Sequence, residues 1–232
     1  MTAAAAVAQL PVEGPFGTGA AQVWVVLPEG PIRNVVVFAH GWKPRPAPPG
    51  DGWVEEFAPW LGHLAARGSA VIFPYYQRGG DATGAARVRS FREGIADAFA
   101  RLPVRAPVFA AGYSYGAALA FTYAADAESW GVPQPQAVEV VFPAAPIPGV
   151  PLAPLPAPVR VDVLVGDRDT VAGAWGARQI WSSLHAHARK RYIVVRSGGA
   201  FVANHASVKL ATPAAQRAFW APLDALVATL RP

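Results

Sequence analysis

The fold is decided by Val108-Phe109-Ala110-Ala111-Gly112-Tyr113-Ser114-Tyr115-Gly116-Ala117-Ala118-Leu119. An apolar, strand-like run, Val108–Ala111, enters the pattern G-x-S-x-G, and a helix-compatible stretch follows to about Ala125. The pattern alone arises easily by chance in a chain with 22 glycines. The strand before it and the helix after it give it meaning. In that context Ser114 sits on a tight strand-to-helix turn, with its hydroxyl projecting from the end of a sheet. The flanking glycines remove side chains that would collide with neighbouring backbone. The N-terminal N–H groups of the following helix favour negative charge developing near the serine.

Outward from this turn, apolar runs alternate with helical patterns. Strands are expected at Ala21–Leu27, Asn34–Ala39, Ala70–Pro74, Val138–Phe142, Val161–Val165 and Tyr192–Arg196, besides Val108–Ala111. Several, such as Val35-Val36-Val37-Phe38, are wholly apolar, as suits strands buried on both faces of a parallel sheet. Between them Phe57, Trp60, Leu61 and Leu64 recur at helical spacing, and Gly68 stops that helix. Val88, Phe91, Ile95, Ala98 and Leu102 mark another helix, opened by Asp81 or Thr83. Val171–His187 is expected to be helical. Thr212-Pro213 reads as N-cap and first turn of a last helix whose buried face is Phe219, Leu223, Leu226, Val227 and Leu230. Pro222 should kink or divide it. Strand–helix alternation points to α/β architecture with a mostly parallel sheet.

Composition bounds the answer further. The 232 residues suit one domain, residues 1–232. Charged residues are 15%, against about 25% in an average domain, and there are 8 Trp, 6 Tyr and 11 Phe, so disorder is excluded. Mean hydropathy is +0.24, which raises the question of a membrane. The two uncharged stretches of spanning length fail: Ala106–Ala125 is interrupted by the Ser114 turn, and Val140–Val159 holds seven prolines. No integral membrane segment is expected. The net charge of +5 is diffuse, with Arg189-Lys190-Arg191 its tightest cluster, so no nucleic-acid partner is expected. With no Cys there is no disulfide, thiolate metal site or Cys nucleophile. The segment MTAAAAVAQL is not a complete signal peptide, and secretion fits only if such a peptide was removed.

A serine hydroxyl needs an adjacent base. Of five histidines, His205 lies in a loop after the last strand, where it can reach back over the sheet edge. His63, His185 and His187 read as helix-surface or helix-end residues, and His40 as structural support for its loop. The base in turn needs an acid to hold its tautomer. Gly166-Asp167-Arg168-Asp169 follows a strand, and both Asp167 and Asp169 are available; Asp162, inside the strand, is a poor candidate. Backbone N–H donors for an oxyanion are expected at Tyr115 and Trp42, with Gly41 the fallback. No metal constellation is visible, since His185-x-His187 lacks partners, and no cofactor is implied.

These residues, His40-Gly41-Trp42, Gly112-Tyr113-Ser114-Tyr115-Gly116, Gly166-Asp167-Arg168-Asp169 and Asn204-His205, resemble the α/β-hydrolase superfamily across nearly the whole chain. The resemblance implies a mostly parallel eight-stranded sheet flanked by helices. It also implies Asp169 as the acid, three residues after Gly166. The chain is similar to compact dienelactone-hydrolase-like and chlorophyllase-like serine esterases, and to bacterial cutinases and polyester hydrolases. It departs from the first in lacking Cys. It departs from the last in lacking a C-terminal disulfide and in having Tyr115-Gly116-Ala117 at the elbow.

Eighteen residues, seven of them Pro, separate Val138–Phe142 from Val161–Val165, so no helical cap domain fits there. The site is therefore expected to be an open groove. Its walls are drawn from Trp42, Trp53, Tyr75, Tyr76, Tyr113, Tyr115, Phe142 and Trp175; Gly41, Tyr76, Tyr113, Phe142 and Trp175 are the expected substrate contacts. Trp60 and Trp181 read as packing residues. These features suit a serine carboxylic ester hydrolase for bulky or aromatic esters, small or polymeric, and a monomer.

Overall fold

A computed structural model describes residues 11–43, 54–77, 83–102, 105–144, 146–184 and 186–229. Asp81, Trp53, His185, Leu230, the proline-rich stretch after Lys43 and the segment MTAAAAVAQL lie outside them.

The backbone forms β1 (Val12–Phe16), β2 (Val23–Val26), β3 (Asn34–Ala39), α1 (Ala58–Ala66), β4 (Ser69–Pro74), α2 (Gly84–Arg101), β5 (Val108–Tyr113), α3 (Tyr115–Trp130), β6 (Ala137–Val141), β7 (Arg160–Gly166), α4 (Trp175–Ser183), β8 (Lys190–Val195), α5 (Pro213–Ala215) and α6 (Ala221–Ala228). The strands make one sheet in the order β1-β2-β4-β3-β5-β6-β7-β8. β1 and β2 run antiparallel to their neighbours, and every pairing from β4 to β8 is parallel. This is the α/β-hydrolase fold. No helix stands between β6 and β7 among the described residues.

The apolar runs form strands because both faces of the sheet are covered. Val35 and Val37 face α2, α3 and α4 through Phe91, Ile95, Leu119, Tyr123 and Ile180. Val36 and Phe38 face α1 and α6 through Trp60, Leu61, Leu64, Leu223 and Leu226. Each fully buried large aliphatic or aromatic side chain contributes about 1.5–3 kcal/mol relative to exposure. Trp60 is buried in this core, and Trp181 is partly buried at its margin.

Differences from the sequence-based expectation have local causes. β1 escapes periodicity because it is short, contains Gly14-Pro15 and leaves four of its five residues exposed on a sheet edge. Proline is tolerated there because an edge strand has no partner on one side. Thr83 opens α2, its hydroxyl accepting from the Ala86 N–H at 3.1 Å. α3 continues to Trp130, where Gly131 in left-handed conformation ends it. The expected 171–187 helix shortens to Trp175–Ser183. Thr212 caps the last helical stretch, its hydroxyl accepting from Ala215 at 3.3 Å. Pro222, with no N–H to donate, divides that stretch: a π-helical segment, Gln216–Trp220, precedes α6.

A row of charges crosses β6, β7 and β8, where Glu139 pairs in register with Asp162 and Asp162 with Arg191. Arg191 grips the buried Asp162 carboxylate with Nε at 2.7 Å from Oδ1 and Nη2 on Oδ2. Glu139 is fully buried, and neither carboxylate oxygen has a hydrogen-bond partner. Desolvation first, and the neighbouring Asp162 second, push its pKa well above the usual range. The native state therefore keeps a proton that the unfolded chain releases. The cost is absent at pH 4 and grows as pH rises past the unfolded value of about 4.3. Replacing Glu139 by Met fills similar volume without the carboxyl. Glu139→Met should raise the melting temperature by several degrees at pH 8, and the gain should vanish near pH 4. Thermal unfolding followed by circular dichroism across that range checks the slope.

Candidate active site

Ser114 stands between the last residue of β5 and the first of α3, with φ 57° and ψ −121°. A non-glycine residue in this region costs roughly 1–3 kcal/mol. Local bonds hold it there: the Ser114 N–H donates to Val141 at 2.9 Å, and its C=O accepts from Ala117 at 3.1 Å and Ala144 at 3.2 Å. The two glycines of the motif are steric necessities. A Cβ on Gly112 would lie 2.2 Å from the Gly116 carbonyl oxygen, and one on Gly116 would lie 2.2 Å from those of Ala39 and His40. Only without side chains can the elbow close on its own helix and accept the exit of β3 beside it.

The loops after β7 and β8 bring the other candidates to this point. His205 Nε2 lies 2.9 Å from Ser114 Oγ, and Nδ1 lies 3.0 Å from Asp169 Oδ2. The other Asp169 oxygen accepts N–H bonds from Val171 at 2.9 Å and Ala172 at 3.1 Å. Burial opposes ionisation of Asp169, but the His205 bond and these N–H groups outweigh it and hold its pKa below the ordinary value. Asp167, the alternative acid, is exposed and serves elsewhere: it accepts from the Ser197 N–H and hydroxyl, and Ser197 Oγ accepts from Ala203. That chain ties the β8 exit to the β7 exit. Tyr113 Oη donates to the His205 carbonyl at 2.9 Å, and the rings of Tyr113 and Phe142 flank the imidazole.

The candidate oxyanion donors also converge here. Tyr115 is the first residue of α3, where N–H groups have no partner within the helix. Gly41 and Trp42 follow β3, whose Ala39 pairs in register with Gly112 on β5. His40 is buried and structural, as its position suggested. Its Nδ1 lies 2.7 Å from the Gly41 carbonyl and its Nε2 2.9 Å from that of Tyr75. Desolvation lowers its pKa to about 4, so it is neutral at pH 7.

The expected substrate contacts divide sharply. Trp42 and Trp175 are exposed, at 48% and 51%. Tyr76 and Phe142, each 0% exposed, and Tyr113, at 4%, are instead core residues, as is the proposed groove residue Tyr75. The correction has one cause: these residues end β5 or directly follow β4 and β6, and helices cover both faces of the sheet there. Their hydroxyls and rings support the site from below. Gly41 is buried as well, against the Tyr113 ring. Tyr115 is half-buried, with its ring 5.9 Å from that of Tyr76 and the Arg87 guanidinium 5.3 Å from its centre. Of the histidines set aside, His63 bonds to Asp224 at 2.8 Å and His187 to the Val159 carbonyl at 2.5 Å. Among the described residues no group of His, Cys, Asp and Glu is placed to hold a metal, and no helix is long and apolar enough to cross a membrane.

Periodicity gave no notice of the residues that brace these loops, Gln77 and Ser197, or of the exposed apolar residues Val171, Val202 and Leu210. The available signal was position: each lies in a segment leaving the C-terminal end of a strand, where ligands bind in open α/β sheets.

With this geometry in view, known proteins can be compared. A thioesterase-domain family model matches residues 46–154. No curated protein sequence matches the chain. Esterase B from Lactobacillus rhamnosis, solved with a tributyrin phosphonate inhibitor, is similar in structure at 15% identity, with a TM-score of 0.68, 95% of this chain covered and 85% of that one. Carboxyl esterase 2 from the mycorrhizal fungus Tuber melanosporum is similar at 13% identity, with a TM-score of 0.63 and coverage of 84% and 77%. A Thermus thermophilus protein aligns at 18% identity, with a TM-score of 0.62 and coverage of 94% and 98%. The chain shares the α/β-hydrolase fold with these proteins.

Asp169→Asn keeps an acceptor for Val171 and Ala172 but turns an amide donor toward His205 Nδ1, favouring the wrong tautomer. Turnover of a nitrophenyl ester should fall by about 10⁴ with the melting temperature little changed. Steady-state kinetics alongside thermal unfolding checks both.

Proposed function

We propose that this protein is a serine carboxylic ester hydrolase acting through Ser114, His205 and Asp169. The observation that carries the reading is the hydrogen-bonded line from Ser114 Oγ through both nitrogens of His205 to Asp169. In this mechanism His205 takes the Ser114 proton as Oγ attacks the ester carbonyl carbon. The N–H groups of Tyr115 and Trp42 hold the resulting oxyanion. His205 then gives its proton to the leaving alkoxide oxygen as the C–O bond breaks, leaving an acyl-enzyme. Water, deprotonated by His205, attacks the acyl carbon, and the proton returns to Ser114 as the acid departs. Asp169 stays ionised and stabilises the imidazolium. Side chains and backbone supply every step without a cofactor. Ser114→Ala should abolish burst-phase release from a nitrophenyl ester and labelling by a fluorophosphonate; undiminished turnover would defeat the assignment.

The substrate reading is a bulky or aromatic ester, including polyester chains at a surface. Its support is the distribution of exposed apolar residues. Of the seven large ones among the described residues, five, Trp42, Val171, Trp175, Val202 and Leu210, lie in segments following β3, β7 and β8, the same segments that carry the candidate site. Apolar surface so concentrated marks an interaction face. The net charge of +5 adds attraction to a polymer surface bearing free carboxylates. Trp175→Ala should reduce adsorption to aromatic polyester film several-fold while hydrolysis of a short soluble ester stays within about twofold. Release of soluble aromatic acid from the film measures the productive fraction, and none after long exposure argues against the polymer.

A second reading, thioester hydrolysis, is favoured by the family match over residues 46–154. The same nucleophile serves both leaving groups. The ratio of kcat/KM for an oxygen ester and a thioester with one acyl group separates them: a higher value for the thioester selects the second reading.

A further inference from the structure

We propose that Gln77 is a positioning residue that fixes the oxyanion loop; this rests on the reading of Trp42 N–H as an oxyanion donor. β4 is the parallel neighbour of β3 on the side away from β5. The segment leaving β4, Tyr75-Tyr76-Gln77, therefore runs beside the segment leaving β3, His40-Gly41-Trp42-Lys43. β5 and Ser114 lie on the far side of that loop.

The contacts between these segments are specific. The buried Gln77 side chain accepts from the Lys43 N–H through Oε1 at 3.1 Å and donates through Nε2 to the Lys43 C=O at 3.2 Å. One planar amide thus meets both backbone groups of a single residue, as an adjoining strand would. At the other end, Tyr76 Oη donates to the His40 carbonyl at 2.7 Å, and the His40 ring stacks on that of Tyr76 with centroids 4.5 Å apart. Tyr76 has a φ of 49°, and the Gln77 N–H donates to the Tyr75 carbonyl at 2.8 Å. This tight turn aims both side chains at the same loop.

Gly41 and Trp42 are consequently pinned on each side, at His40 and at Lys43. Both are the residues whose N–H groups can face an oxyanion. A glutamine fits because only a primary amide offers donor and acceptor in the spacing of a peptide. A donor stabilises the developing charge only if it is already aimed when the charge appears. Holding Lys43 on both its N–H and C=O fixes the peptide plane that follows Trp42.

The test is Gln77→Met, which keeps length and apolar bulk but neither bond, with Gln77→Glu retaining the acceptor alone. In Gln77→Met, kcat on a nitrophenyl ester should fall 10- to 100-fold with KM within about twofold, below the 10²–10³ loss for removing a donor outright. Affinity for a boronic-acid transition-state analogue should fall in parallel, and Gln77→Glu should lie between. Amide hydrogen exchange in the peptide covering His40–Lys43 should quicken. If exchange quickens while kcat and analogue affinity stay at wild-type values, the clamp does not serve the oxyanion and the proposal fails. Unchanged exchange also overturns it. A wild-type enzyme inert to esters and to fluorophosphonate overturns the hydrolase reading itself, whereas an active wild type with unaltered variants overturns only the role of Gln77. Should Gln77→Met not fold, Gln77→Glu carries the same comparison.

Discussion

The backbone of Ser114 is forced into a conformation that side chains avoid, and much of the structure exists to keep it there. The turn is bounded by β5, in the middle of the sheet, and α3, ten of whose residues are buried. It can close only because Gly112 and Gly116 have no side chains where carbonyl oxygens come within 2.2 Å of the Cβ positions. The same close approach lets the exit of β3 run alongside. A strained point on a loop would relax; between a buried strand and a buried helix it cannot, because relaxation would unpack both.

The buried carboxylates show how differently one group is treated within one fold. Asp169 has every demand met, by His205 on one oxygen and two backbone N–H groups on the other, and its pKa falls. Asp162 is buried under the Arg191 fork. Glu139, in register beside it, has no partner, and its pKa rises. Burial is common to all three. The hydrogen bonds decide whether the charge survives, since an unpaired charge in the interior costs far more than a paired one.

Parallel topology explains why support and chemistry are interleaved. Strands β3 to β8 all release their chain at one sheet edge, so each exit loop has another beside it. The β7 and β8 exits are tied through Asp167 and Ser197, and the β3 and β4 exits through Gln77 and Tyr76. Much of this edge is braced from beneath by Tyr75, Tyr76, Tyr113 and Phe142, which end strands or directly follow them. Trp42, in the β3 exit loop, and Trp175, at the start of α4, remain exposed above that layer.

Seven of the eight strands, the elbow at Ser114 and the position of His205 beyond the last strand were legible in the sequence, because strands buried on both faces write continuous apolar runs, the half-exposed edge strand β8 still keeps Tyr192-Ile193-Val194-Val195, and a strand–glycine–helix junction has few readings. β1 was not, since an exposed edge strand needs no such run. Residue identity made both Asp167 and Asp169 available as partners for His205, with Asp169 favoured by the resemblance, and aromatic identity left Tyr76, Phe142 and Trp175 equal as groove walls. Tertiary structure separated them. Which carboxylate meets an imidazole depends on how two loops 36 residues apart are packed together, and which ring meets solvent depends on the helices laid over the sheet. Gln77 is the clearest case. A glutamine after a strand is unremarkable in sequence, and only the neighbouring strand order brings its amide to the backbone of Lys43.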